Sequence, residues 1–100
     1  MDNRPKLQNE LNLFIETAYY QPPSNHIMRY PCIVYTRKPP QVVHASNDIH
    51  KYKDSWQITL IEKDSTSRVA VDILNHFSYC SITGYEVVDN LYHTFLQLYY

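Results

Sequence analysis

The closing stretch "VVDNLYHTFLQLYY", residues 87 to 100, restricts the fold more than any other part of the chain. Asp89 and Asn90 tolerate positive φ and so suit a two-residue turn between antiparallel strands. A turn there predicts strands over residues 80–88 and 91–99 and sets Glu86 opposite His93 across the ladder. In the last strand the even positions Tyr92, Thr94, Leu96 and Leu98 and the odd positions Phe95 and Tyr99 leave neither face strongly polar. A strand of that kind is ordinarily covered on both sides, and a chain end frays unless something holds it.

Upstream, Leu7, Leu11, Phe14, Ile15 and Ala18 recur at spacings of three and four, which predicts an amphipathic helix with Pro5 in its first turn and Asn3 or Arg4 at its cap. Pro22 and Pro23 end it. "YPCIVYTR", residues 30 to 37, reads as a short strand, with Pro39 and Pro40 marking an edge or turn beyond it. Over residues 41 to 64 the pattern suggests a long hairpin turning at Asn47 and Asp48, with Val43 opposite Tyr52 and Ala45 opposite His50. Its returning strand alternates apolar Tyr52, Trp56, Ile58 and Leu60 with polar Lys51, Lys53, Ser55, Gln57 and Thr59. A second helix follows, with Asp64 or Ser65 as N-cap and a stripe of Val69, Ile73, Leu74 and Phe77. The order of elements predicts one α+β domain, a mostly antiparallel sheet of about four to five strands packed with two helices.

Ten tyrosines against one glycine remove several classes of chemistry. A phosphate-cradling loop, a dinucleotide fingerprint and a nucleophile elbow all need glycines that this chain lacks. Tyrosine suits strands and interfaces, because it joins a large apolar face to a polar tip. A formal charge of -1 gives no global basic field to grip nucleic acid. Cys32 and Cys80 fit no zinc spacing and are expected to behave as small buried hydrophobes in a reducing compartment. No apolar run spans a bilayer and the N-terminus is too polar for a secretory signal, so a soluble cytosolic product is expected.

No catalytic, metal or cofactor site is expected from these residues. The five histidines form no ligand pair at helical or knuckle spacing, and His44 and His50 would point to opposite faces of the hairpin. Glu86 and His93 could pair a base with its orienting acid, but with no nucleophile beside them they read as a cross-strand ion pair. Lys51 and Lys53 share the outer face of one strand, a pattern that solvates a sheet or meets acidic residues of a neighbouring subunit.

Taken in order, "MRYPCIVYTRK", "VVHASNDIHKYKDSWQITLIEKD" and "FSYCSITGYEVVDNLYHTFLQLYY" resemble the tail terminators of long-tailed bacteriophages, also called tail completion or neck proteins. The resemblance covers the chain from about residue 28 to its end, and the loop "DSTSR" departs from it by being less acidic and free of proline. It implies a virion protein of the neck, assembled in the host cytoplasm as a homo-oligomeric ring, a hexamer in the family, which stops the tail tube and meets the head connector. DNA passes through its lumen without specific binding, and no membrane is involved. On that reading Arg37, Lys38, Lys51, Lys53, Lys63, Tyr92, Tyr99 and Tyr100 are interface candidates, since aromatic anchors dominate interface energetics. The alternatives are a connector or stopper component of the same neck, and a small regulatory binding module absent from the virion.

Overall fold

A computed structural model describes residues 4–23, 25, 27–38, 55–64 and 66–100. Its elements run α1 (Arg4–Leu11), β1 (Ala18–Tyr20), β2 (Cys32–Lys38), β3 (Ser55–Glu62), α2 (Val69–His76), β4 (Cys80–Val88) and β5 (Leu91–Tyr99). The strands form one sheet in the order β1-β2-β3-β5-β4, antiparallel throughout except for the parallel β1-β2 pair. The fold is α+β, as the order of patterns implies.

Register explains which side chains reach the core. Ile33 lies beside Leu60, Tyr35 beside Ile58, and Ile58 beside Leu96, so these residues share one face of the sheet. Leu7 and Leu11 from α1, Ile73 from α2 and Phe77 just after it pack on that face, which makes a two-layer core. Alternation in β3 holds only at its centre: Trp56, Ile58 and Leu60 are fully buried and Gln57 and Thr59 on the other face half-buried, but Ser55, expected on the open face, is fully buried, and Ile61 is only 7% exposed. In β5 the same face buries Thr94, Leu96 and Leu98, and the residues between them are half-buried. Cys32 is buried and Cys80 half-buried, and desolvation pushes both thiols up to about 11, which leaves them unreactive at neutral pH.

The β4–β5 hairpin forms where the sequence places it. Asp89 and Asn90 take φ of 52° and 63°, the pair of left-handed conformations that a type I′ turn needs, and Glu86 stands opposite His93. Nδ1 of His93 lies 3.1 Å from the Leu91 carbonyl. Sequence gave no sign of the irregularity between Ile82 and Gly84, which shifts the register by one residue. Cys80 and Ile82 share the core face before the shift, and Tyr85 and Val87 share it afterwards. One extra residue thus keeps an apolar row on one side of a strand whose spacing alone would break it.

Three expectations need correction. The first helix ends at Leu11, and Phe14, Ile15 and Ala18 lie beyond it. Asn12 is the reason, because its Nδ2 donates to the carbonyls of Ile15 at 3.1 Å and Glu16 at 2.9 Å and so bends the backbone out of the helix. Ala18 instead starts β1, a strand that was not foreseen, held to β2 through bonds such as Ile33 N to the Thr17 carbonyl at 2.9 Å. Finally, Asp64 does not cap α2: its Oδ1 accepts from N and Oγ1 of Thr66, both at 2.8 Å, and the helix begins later, with the Val69 N–H donating to Ser67 Oγ at 3.2 Å. The turn at Asn47 and Asp48, its register, the cap at Asn3 and Ser65 all lie outside the described residues.

α1 is fastened by polar groups as well as by its leucines. The Tyr35 hydroxyl donates to Gln8 Oε1, and Gln8 Nε2 donates to the Ala18 carbonyl at 3.2 Å, so one amide joins helix, edge strand and sheet. Tyr20, Tyr35 and Trp56 cluster beside it, with Arg37 capping the Trp56 ring at 4.9 Å.

Leu96 is fully buried at the centre of the sheet and Leu13 is 71% exposed. Leu96→Ala should therefore destabilise by about 2–5 kcal/mol and Leu13→Ala by less than about 0.5 kcal/mol. Urea denaturation of the two variants checks both.

Candidate functional site

At one end of the sheet the β4–β5 hairpin runs past α2 and leaves its helix-side face uncovered by either helix. Glu62, the last residue of β3, lies beside Tyr92 of β5, which lies beside Val87 of β4. With Ala70 and Val71 of α2 these residues line a groove of about 190 Å³. Its apolar wall is unusually open: Tyr85 is 74% and Val87 61% exposed. Its polar lining includes the three acids Glu62, Asp64 and Glu86 and, opposite Glu86 in register, His93, with no lysine or arginine. β4 is also an edge strand of the sheet, with Glu86 as its one charged residue and no proline. The irregularity at Ile82 and Gly84 and the charge of Glu86 give this edge some of the usual protection against pairing, while the stretch from Tyr85 to Val88 beyond the irregularity stays regular.

A second cluster lies at the other end, where the chain finishes. The Tyr100 hydroxyl donates to Glu10 Oε2, and Glu10 Oε1 lies 3.0 Å from His76 Nε2. The Tyr100 ring meets Phe77 edge to face at 5.7 Å. Tyr100 is thus held to α1 through Glu10 and to Phe77 just beyond α2. Partial burial pulls the Glu10 carboxyl upward, but the Tyr100 hydrogen bond and the nearby His76 and Lys6 outweigh it and hold the group below its ordinary value of 4.5. Burial, and then the Glu10 carboxylate that accepts its proton, push the Tyr100 hydroxyl up to about 12. The cluster clamps Tyr100 against Glu10 and Phe77, and Ser78 and Tyr79 line the same cavity of about 210 Å³.

The interface candidates divide between the two ends. Lys38 pairs in register with Ser55, and Ser55 with Tyr99, which puts Lys38, Arg37 and Tyr99 at the end that holds Tyr100. Tyr99 accepts from Gln97 Nε2 at 3.0 Å, and its N–H donates to the Tyr79 carbonyl at 2.9 Å. Lys63 and Tyr92 lie at the groove end, about seven residues away along β3, or roughly 24 Å. Lys51 and Lys53 fall outside the described residues. The structure therefore gathers Tyr92 with Tyr85, Val87 and Glu62, three residues that sequence reasoning passed over. Glu62 had a visible signal, since it is the first charge to follow Trp56, Ile58 and Leu60 on the same face.

Among the described residues no three His, Cys, Asp or Glu side chains come together to hold a metal ion, and no helix is long and apolar enough to cross a membrane. Compared with models of known families, with characterised proteins and with solved structures, the chain shows no match.

Glu10 fixes the sign of an acid effect. A carboxyl whose folded pKa is depressed contributes stability above its unfolded value and loses it as pH falls through the folded one. Glu10→Gln should reduce stability at pH 7 by about 1 kcal/mol, given its partial exposure, and the gap to the native chain should shrink below roughly pH 4. Thermal unfolding of both proteins across that range is the check.

Proposed function

We propose that this chain is a structural assembly subunit, a tail terminator that forms a ring at the head-proximal end of a phage tail tube. The observation that carries the reading is the groove end of the sheet. There the outer edge of β4 and a row of exposed Tyr85, Val87 and Tyr92 adjoin each other. Apolar exposure beside an open strand edge marks a protein–protein contact more than a small-molecule pocket. A closed ring needs two different patches on each subunit, and the sheet has two different edges, β1 and β4.

Other features are in keeping with the proposal. The three stretches that resemble tail terminators contain β2, β3 and the β4–β5 hairpin. A net charge of -1 suits a lumen through which DNA slides, because each phosphate gripped by a cation would add salt-sensitive affinity and slow its passage. The tube protein and the head connector would meet the two faces of the ring.

A gold-labelled antibody on purified virions tests the proposal. Label at the junction of head and tail is expected. Unlabelled virions, with the protein abundant in infected cells and recognised there by the same antibody, would end the structural reading and favour a regulatory module.

A further inference from the structure

Glu62 is only 9% exposed and lines the groove. Among the described residues no donor or cation is placed on its carboxylate. Its oxygens are not among the fully buried unpaired polar atoms and so open onto the groove, where a cation or hydrogen-bond donors would replace the water on a largely desolvated carboxylate. Asp64 and Glu86 add further negative charge to the lining, and the rest of the wall is largely apolar, through Val71, Tyr85, Val87 and Tyr92. The chemistry that complements such a groove is a cation carried close to a branched apolar side chain on an accessible stretch of backbone.

This chain displays that combination elsewhere on its own surface. In segment 27–29, Ile-Met-Arg, Ile27 is 90% exposed, the most exposed large apolar side chain among the described residues, and Arg29 is exposed two positions on. No described carboxylate is placed against the Arg29 guanidinium. The Arg29 N–H donates to the Tyr19 hydroxyl at 3.2 Å, which holds the segment beside β1. β1 and β4 are opposite edges of the sheet, four strand spacings or roughly 19 Å apart.

From this placement we infer that the groove between α2 and the β4–β5 hairpin receives segment 27–29 of a second copy of the chain, with Arg29 of that copy on Glu62. The planar guanidinium can meet the carboxylate through two parallel hydrogen bonds, while Ile27 covers the exposed tyrosine and valine row. Because the segment and the groove are different patches, the contact is heterologous and repeats from copy to copy, closing into a ring or running on as a filament. The inference rests on the ring reading for its choice of a second copy as the occupant.

Sedimentation velocity of the full chain over a wide concentration range tests it, with the variants Arg29→Glu and Glu62→Gln. The native chain should self-associate, and each variant alone should do so at least about tenfold more weakly. Mixing the two should produce a one-to-one pair, because Arg29→Glu keeps an intact groove and Glu62→Gln an intact segment, while the remaining surfaces are damaged. Melting curves separate lost binding from lost fold. Should Glu62→Gln fail to fold, Arg29→Glu, altered at an exposed position, still decides through its own loss of association. A native chain that stays monomeric throughout, variants that associate as tightly as the native chain, or a mixture of folded variants that does not pair would each overturn the contact. Virion label at the neck alongside any of those results would leave the ring reading standing and remove this contact alone.

Discussion

β5 hydrogen-bonds to β3 along one side and to β4 along the other, so the C-terminal strand is an interior strand of the sheet. The constraint is severe, because Ser55 finds its neighbour Tyr99 only after the rest of the chain has been laid down. Leu96 and Leu98 supply two of the fully buried side chains of the core, and without them Ile58 and Trp56 lose the neighbours beside them in register. A strand so placed cannot be left to fray. Tyr100 meets that need by joining Glu10 of α1 and Phe77 just after α2, the two elements that cover the same sheet face. Tyr100 is thereby packed against the chain's own helical layer.

Elements whose local chemistry and global position agree were legible in the sequence. Asp89 and Asn90 adopt the backbone that their side chains favour, and the strands on either side follow from them. The packed row Trp56, Ile58 and Leu60 in β3 was readable from its period of two, whereas the burial of Ser55 on the opposite face was not. β1 was not readable: three residues are too few for a period, and Ala18 lies at helical spacing from Phe14 and Ile15. What ends α1 is two hydrogen bonds from a single asparagine side chain, a tertiary detail that propensity does not encode. The register shift in β4 was equally silent, since both sides of it read as acceptable strand.

The candidate site was only partly legible for a related reason. Tyrosines and lysines were singled out by type, but the fold sends Lys38 and Tyr99 to one end of the sheet and Lys63 and Tyr92 to the other. Tyr85, Val87 and Glu62 become a group because α2 stops short of covering the hairpin, which depends on where a helix lies over a sheet rather than on any motif. Three acids and His93 then line a groove beside the edge strand β4. A ring subunit would use such a surface, with β5 locked inside and β1 and β4 turned outward.

Hydrogen exchange, followed by mass spectrometry on the dilute chain and on its assembled form, separates the locked part from the contact part most directly. The account predicts that residues 94–98 of β5 are protected in both states, while residues 84–88 of β4 and segment 27–29 gain protection only on assembly. Rapid exchange at 94–98 in the dilute chain, or a gain confined to β2 and β3 with none at β4, would contradict it.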